Sequence, residues 1–208
     1  MTDTATPLSA LALVCSLKAS PAESSSEVIA GQILTALGEH NVNGESIRVA
    51  DHDVRPGTEA DMGEGDEWPE LRRRIHAADI LVLATPTWVG HMSSVTQRVL
   101  ERLDAELSYT DDQGRPLTYG KIAVTAVVGN EDGAHKIVAD CFQGLNDMGF
   151  TIPANGCTYW NAEAMNPSDY KDLEQTPAAV ASTISTLAAN SAHLARLLCE
   201  RPYPPAGE

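Results

Sequence analysis

A hydroxyl-rich stretch with one cation is the first part of the sequence whose residue types could do chemistry. It reads CSLKASPAESSSEV and contains Ser16, Lys18 and the consecutive Ser24, Ser25 and Ser26, just ahead of an amphipathic segment. Hydroxyl groups, an ammonium and the free N–H groups of a helix N-terminus all favour a bound phosphate. The same serines could instead serve only as helix caps and turn residues, and both interpretations stay open. The stretch contains neither GxGxxG nor GxxxxGK[ST], so it supports neither a dinucleotide fingerprint nor a nucleoside triphosphatase loop.

A second stretch, ILVLATPTWVGHMSS, places a large aromatic residue directly after a buried apolar run. Pro86 and Trp88 would form a rigid wall with a flat face, and Gly90 permits close approach of a ligand to the backbone. This pattern favours a planar heterocycle that stacks on Trp88 and is hydrogen-bonded by the main chain. In the alternative interpretation, Trp88 only covers the core. The predicted contact residues are Thr85, Pro86, Thr87, Trp88, Val89 and Gly90.

A third stretch, VVGNEDGAHK, is rich in glycine and polar groups. Gly129 and Gly133 bracket Asn130, Glu131 and Asp132. Such a loop can lie along the edge of a ring and hydrogen-bond it through backbone and amide groups. For Asp132, a simple helix cap is the favoured interpretation.

Two histidines adjoin these stretches and are the candidate catalytic residues. His91 lies within the second stretch, directly after Gly90, and His135 lies in the first turn of the helix predicted after the third stretch. Imidazole titrates near neutral pH, so either residue could donate a proton to a reduced acceptor. Each could equally be an ordinary surface histidine.

These three stretches must be positioned by alternating strands and helices. Near-continuous apolar runs with helical segments between them indicate a parallel sheet covered on both faces, in a single domain. The domain is predicted to span residues 1–208, with a core of about 8–200 and a frayed tail at 201–208. In such sheets, ligands bind beyond the carboxyl ends of the strands, where the three stretches lie. The predicted strands are 8–16, 46–52, 79–86, 121–129 and 150–160, and the predicted helices are 25–40, 66–79, 93–107, 133–149 and 176–200.

Composition excludes several classes of partner. A net charge of −15 argues against nucleic acid, because phosphate contacts need clustered Lys and Arg. No run of about 18 apolar residues is present, so no membrane segment is predicted. The four cysteines are scattered without metal-ligand spacing, which predicts a reduced, cytoplasmic protein with no metal site.

The chain resembles the flavodoxin-like NAD(P)H-dependent FMN reductases and quinone reductases. The likeness rests on the order of units and on CSLKASPAESSSEVI, LATPTWVGHMSSVTQRVLERLD and VGNEDGAHKIVADCFQGLNDMGF, and it covers roughly residues 8–160. It implies a flavodoxin-like three-layer α/β sandwich with a five-stranded parallel sheet of order 2-1-3-4-5 and helices on both faces. Placement of the ligand at the switch point of this fold is an established rule, for which flavodoxin itself is an example.

The resemblance also implies a cofactor and its contacts. The first stretch would hold the FMN phosphate, with Ser16 and Lys18 at the usual Ser and Arg positions and Ser25 or Ser26 as the later hydroxyl. Residues 86–90 and 129–133 would border the isoalloxazine. A hydride would pass from NADPH or NADH through bound FMN to a small-molecule acceptor, such as a quinone or free flavin, in a ping-pong reaction. Members of the family commonly form homodimers or homotetramers.

Two positions depart from the family pattern. Cys15 stands where a glycine is usual, and Lys18 replaces the commoner arginine, which loses bidentate phosphate geometry. These departures leave open a flavodoxin-fold binding protein without FMN. A flavodoxin-type electron carrier suits the acidic charge, but the Thr-x-Thr-Gly-x-Thr phosphate loop of such carriers is missing.

Overall fold

The computed structural model describes residues 6–162 and 167–205. A parallel sheet lies at the centre of the fold. The sheet order is β2-β1-β3-β5-β6, and the two-residue strand β4 pairs antiparallel with the end of β3. Counting the parallel strands alone, this is the predicted order 2-1-3-4-5, which is confirmed. The strands are β1 (Leu8–Val14), β2 (Val42–Arg48), β3 (Ile80–Trp88), β4 (His91–Met92), β5 (Ile122–Val128) and β6 (Cys157–Trp160).

Five helices cover the two faces of the sheet, so the three-layer sandwich is also confirmed. The helices are α1 (Ser25–Gly38), α2 (Trp68–Ala77), α3 (Ser94–Leu103), α4 (Ala134–Asp147) and α5 (Ala178–Glu200). One core lies between the sheet and α1 with α5, and the other lies beneath α2, α3 and α4. Alternate residues of each strand supply the two cores: Ala12 faces the first, and Leu11 and Leu13 face the second.

Several predicted boundaries are wrong, and the largest difference is the start of the last strand, which was expected at residue 150 and lies at Cys157. Strand β2 was expected over 46–52, but Val42–Arg48 pairs in register with all seven residues of β1, and a short 3-10 helix follows. The last helix was expected to begin with Thr176 as its cap, but Pro177 occupies the cap position. The Thr176 hydroxyl instead accepts a hydrogen bond from Gln32 at 2.9 Å.

The end of the chain, residues 201–208, was predicted to be frayed, but Tyr203 in this segment makes two contacts with the rest of the protein. The Tyr203 ring packs edge-on against Tyr119 with centroids 5.4 Å apart, and its hydroxyl lies 2.9 Å from that of Thr151. Residues 206–208 of the predicted tail lie outside the described residues. Among the helices in the described part of the chain, none is both long and apolar enough to cross a membrane.

A buried ion pair fixes the long acidic loop between β2 and α2. Arg102 on α3 donates to the Asp66 carboxylate at 2.8 Å, and both side chains are fully buried. Arg102 also donates to the backbone carbonyls of Arg55 and Glu59. Burial opposes ionisation of Asp66, but the hydrogen bonds from Arg102 and from backbone N–H groups hold the pKa of this carboxyl well below its usual range. The stabilisation is therefore fully present at neutral pH, and it is lost progressively as the pH falls from the ordinary carboxyl range toward the lowered pKa of Asp66.

We expect Arg102→Met to lower the free energy of unfolding by about 3–5 kcal/mol, because it leaves the Asp66 carboxylate buried without its partner. Urea denaturation followed by circular dichroism measures the change. The control is Arg73→Gln, which removes an exposed pair with Glu70 and should leave the urea midpoint nearly unchanged. Equal losses in the two variants would contradict the assignment.

Candidate functional site

A cavity of about 410 Å³ opens at the carboxyl ends of the parallel strands. The loops after β1, β3 and β5 meet there, as expected for the switch point of this topology. The walls are formed by residues 16–18, 23–26, 86–88, 128–130, 160 and 169–171.

One end of the cavity is lined by hydroxyls, a cation and the N-terminus of α1. Ser24 is the N-cap of this helix, and its Oγ accepts from the backbone N–H of Glu27 at 3.3 Å. Ser25 and Ser26 form the first turn, and Lys18 is exposed on the loop. Ser24 thus combines helix capping with lining of the cavity. The positive end of the α1 dipole makes this end of the cavity favourable for an anion.

The loop before α1 is braced from β2 and from the 3-10 helix that follows it. The buried Arg48 guanidinium donates to the Ala22 carbonyl and to the Glu27 carboxylate. Asp51 accepts from the backbone N–H and the hydroxyl of Ser20, at 2.6 and 2.7 Å. These two hydrogen bonds hold the pKa of Asp51 below its usual value. The hydroxyl end of the cavity is therefore fixed in place by groups behind it.

Aromatic side chains line the cavity beyond the hydroxyl end. Trp88 closes β3 and is 50% exposed. Trp160 ends β6 and packs on Tyr170 with ring centroids 5.5 Å apart and planes tilted by 57°. Flat apolar walls of this kind suit a planar ring system.

Glycines let the loops after β3 and β5 approach each other closely. A Cβ on Gly129 would lie 2.9 Å from Thr87 Cβ. Gly133, with φ +126°, would bring a Cβ to 2.8 Å from the carbonyl oxygen of Gly90. The Gly90 N–H donates to the Glu131 carboxylate at 3.3 Å. Any side chain at these two glycines would force the loops apart.

The structure brings most of the predicted cofactor-binding residues to this cavity and leaves six outside its lining. Those on the wall are Ser16, Lys18, Ser24, Ser25, Ser26, Pro86, Thr87, Trp88, Gly129 and Asn130. Those outside are Thr85, Val89, Gly90, Glu131, Asp132 and Gly133.

Some of the outlying residues have clear structural roles. Thr85 is buried, and its hydroxyl accepts from the Ser93 N–H and the Thr96 hydroxyl, which ties β3 to the start of α3. Gly133, and not Asp132, is the N-cap of α4, so the favoured helix-cap interpretation of Asp132 is wrong. The Asp132 carboxylate accepts instead from the Gly133 N–H at 2.7 Å.

The two candidate catalytic histidines lie outside the cavity lining. His135 Nε2 is 2.9 Å from the Tyr159 hydroxyl, and His91 Nδ1 is 3.3 Å from Lys136 Nζ. Both histidines are exposed, so these pairs place them on the protein surface beside the cavity. Proton donation by either residue stays a prediction.

Sequence reasoning missed the part of the wall that comes from the end of β6 and the loop after it. Trp160, Tyr170 and Lys171 all line the cavity. Trp160 could have been found, because it ends a predicted strand as Trp88 does. Tyr170 and Lys171 follow no pattern that the sequence displays, and they reach the cavity only because the loop after β6 returns to α1.

The Cys15 departure does not alter the wall of the cavity. Its side chain is fully buried in the core beneath α2, α3 and α4, and the residue is outside the cavity lining. Burial raises the pKa of the thiol to about 12, so the group stays protonated.

The sequence and the structure both match known flavin proteins. A family model described as NADPH-dependent FMN reductase matches residues 9–165. The chain is 31% identical over 206 residues to the 8-demethyl-8-aminoriboflavin-5'-phosphate synthase of Streptomyces davaonensis, covering 94% of this chain and 80% of that protein. The crystal structure of RosB with its bound intermediate, 8-demethyl-8-formylriboflavin-5'-phosphate, matches with a TM-score of 0.85 at 31% identity, over 94% of this chain and 82% of that one.

A further relative is much longer than this chain. It is a Mycobacterium bovis protein named divalent metal cation transporter MntH, and it is 37% identical to this chain over 169 residues. The match covers 79% of this chain but only 25% of the length of that protein. The family match, however, covers most of the present chain and includes all three predicted loops. The resemblance drawn from the sequence is thereby confirmed, and the chain belongs to the family of NADPH-dependent FMN reductases.

Proposed function

We propose that this protein is an FMN-dependent oxidoreductase that passes a hydride from NADPH or NADH through bound FMN to a small-molecule acceptor, such as a quinone or a free flavin. The observation that carries the proposal is the convergence of three loops on one cavity, with hydroxyls and a helix N-terminus at one end and aromatic walls beyond them. When bound, FMN supplies the hydride-accepting and hydride-donating chemistry.

The hydroxyl end of the cavity fits the phosphate of FMN. Ser25 and Ser26 occupy the first turn of α1, so their N–H groups and hydroxyls are available at the positive end of the helix dipole. Lys18 adds a positive charge from the loop. The carboxylate of Glu23, which belongs to the same loop, is 82% exposed and is directed toward Lys171 Nζ at 3.5 Å.

The aromatic end fits the isoalloxazine. Pro86 and Trp88 present a flat apolar surface, and the Thr87 hydroxyl between them is buried without a hydrogen-bond partner among the described residues. A buried hydroxyl without a partner is unfavourable, so a polar atom on the edge of a ring would satisfy it. The cavity wall thus offers both a stacking surface and an unused polar group.

The rim of the cavity suits an acceptor that arrives after the nicotinamide has left. Leu17, Trp88 and Val89 are 49%, 50% and 85% exposed, which leaves an open apolar edge beside the cavity. The same exposed edge supports assembly into a homodimer or homotetramer, in which a second copy covers part of the rim. We propose both features together, because an open rim partly covered by a second copy forms a substrate pocket.

The reductase proposal is tested by the visible spectrum of the protein after addition of FMN and removal of the excess by gel filtration. We expect retained flavin bands that bleach on anaerobic addition of NADPH or NADH and return on addition of a quinone. Initial rates at several fixed acceptor concentrations should give parallel double-reciprocal lines, as a ping-pong reaction requires. Bands that persist with both nucleotides would favour an electron carrier, and absence of retained flavin would favour a binding protein without FMN.

We expect Thr87→Val to weaken FMN binding about five- to tenfold while leaving the flavin-free protein as stable as the wild type or slightly more so. In the wild type, the Thr87 hydroxyl has no partner among the described residues in the flavin-free cavity but would gain one from the ligand. The variant removes this gain and leaves the flavin-free protein without a buried unpartnered group at this position. Fluorescence titration and urea denaturation measure the two effects. Thr125→Val is the matched control, because this β5 hydroxyl is also buried and unpartnered within the described residues but lies outside the cavity lining. Equal affinities in both variants would show that Thr87 does not contact the flavin.

A second candidate function is chemical modification of the flavin ring, with FMN as the substrate. It is favoured by the similarity to the aminoriboflavin phosphate synthase and by the close structural match to RosB with a formylated riboflavin phosphate bound. In that case FMN would be the substrate, and the aromatic end of the cavity would hold the ring whose methyl group is changed.

Mass spectrometry of the flavin after prolonged aerobic incubation separates the two functions. We expect the recovered flavin to keep the mass of FMN while NADPH is oxidised, because the reductase regenerates its cofactor in every cycle. Conversion to a flavin phosphate of different mass, dependent on the protein and independent of added nicotinamide, would establish modification and displace the reductase proposal. Heat-denatured protein is the control for spontaneous decay of the flavin.

A further inference from the structure

We propose that Lys171 is a phosphate-recognition residue that makes the cavity selective for riboflavin 5'-phosphate over riboflavin. The proposal rests on the proposed function, because it concerns the same cavity and the same flavin. It assigns a ligand-binding role to the segment 167–173, which is called the strap below. The strap lies beyond residues 9–165, the part of the chain that matches the family model.

The strap is held against α1 by its own hydrogen bonds. The Tyr170 hydroxyl donates to the side chain of Gln32 at 2.6 Å, and only 3% of Tyr170 is exposed. The Lys171 N–H donates to the Ser25 hydroxyl at 3.3 Å. Ser25 is the first residue of α1, so the strap delivers Lys171 to the helix N-terminus where an anion is favoured.

The Lys171 ammonium is less exposed to solvent than the three carboxylates that surround it. Its Nζ lies 2.7 Å from Asp172, 3.5 Å from Glu23 and 3.9 Å from Asp169. The lysine side chain is 22% exposed, whereas the three carboxylates are between 51% and 82% exposed. The hydrogen bond that Lys171 donates to Asp172, together with the charges of Asp172 and Glu23, raises the pKa of Lys171, so the group is an ammonium at neutral pH.

The ion pair between Lys171 and Glu23 is weak. Glu23 is the most exposed of the three carboxylates, and exposed ion pairs contribute little stability. A phosphate at the α1 N-terminus would bring fixed negative charge to the same place with better hydrogen-bonding geometry. We infer that the phosphate takes the place of Glu23 beside Lys171, while Asp172 keeps its contact with the ammonium.

A second cation would also make up for Lys18, which stands at the position where the family usually has arginine. A single lysine offers a point charge without the bidentate geometry of arginine. Lys18 and Lys171 both line the cavity and together supply two point charges, one from the first loop and one from the strap. Riboflavin, which lacks the phosphate, gains nothing from either charge.

The test is titration of flavin fluorescence with FMN and, separately, with riboflavin. We expect Lys171→Gln to raise the Kd for FMN about tenfold and to leave the Kd for riboflavin within about twofold. Lys171→Arg should restore most of the FMN affinity, because the charge is kept. Glu23→Gln should tighten FMN binding about twofold to threefold, because it removes the competing carboxylate. Lys136→Gln is the matched control, since it removes one exposed charge that pairs with Asp140 on α4 and lies outside the cavity lining.

Several outcomes would overturn the inference, and each is distinct. If Lys171→Gln weakens FMN and riboflavin equally, the strap is only structural. If Lys171→Gln leaves the FMN affinity unchanged while the wild type binds FMN, the phosphate is recognised by the first loop alone and the proposed function survives. If the wild type binds neither flavin, the proposed function fails together with the inference.

Discussion

The close approach of the backbones after β3 and β5 is the constraint on which the cavity depends. Gly129 lies against Thr87, and Gly133 lies against the Gly90 carbonyl, at separations that no Cβ tolerates. Gly133 meets the backbone of Gly90, and Gly129 meets the first atoms of the buried Thr87 side chain, so neither contact can yield and the sheet sets the width of the cavity at its aromatic end. The parallel pairing of β3 with β5 up to Pro86 and Val128 brings these loops together.

The remaining walls are fixed by polar groups that are anchored behind them. Arg48 and Asp51 brace the first loop from beneath, and Tyr170 fastens the strap to α1. Burying a charge such as the Arg48 guanidinium is unfavourable unless it is hydrogen-bonded, and here its hydrogen bonds fix the loop. These hydrogen bonds fix the hydroxyl end of the cavity from behind. Trp88 and Val89 at the rim are half exposed or more.

Local patterns in the sequence were sufficient for the parallel sheet and for three of the loops, whereas the strand order came from the resemblance to a known family. Continuous apolar strands imply a parallel sheet, and residues just after strand ends must face one edge. The strap could not be predicted, because Tyr170 and Lys171 reach the cavity only through long-range contacts with α1. Boundaries failed where pairing or packing overrode local preference, as in β2, whose start is set by register with β1. The same limit explains Thr176, whose hydroxyl bonds to Gln32 instead of capping its own helix.

The placement of exposed carboxylates around the partly buried Lys171 ammonium has a consequence for association kinetics. The chain carries a net charge of −15, so an anionic ligand approaches through a repulsive field and is attracted only within the last few ångströms. Dissolved salt screens charges beyond about 8–10 Å but acts weakly on contacts inside a cavity. Rising ionic strength therefore speeds the entry of a phosphorylated ligand more than it speeds its release. The association rate at such a site therefore depends on ionic strength, whereas the residence time depends on the contacts inside the cavity.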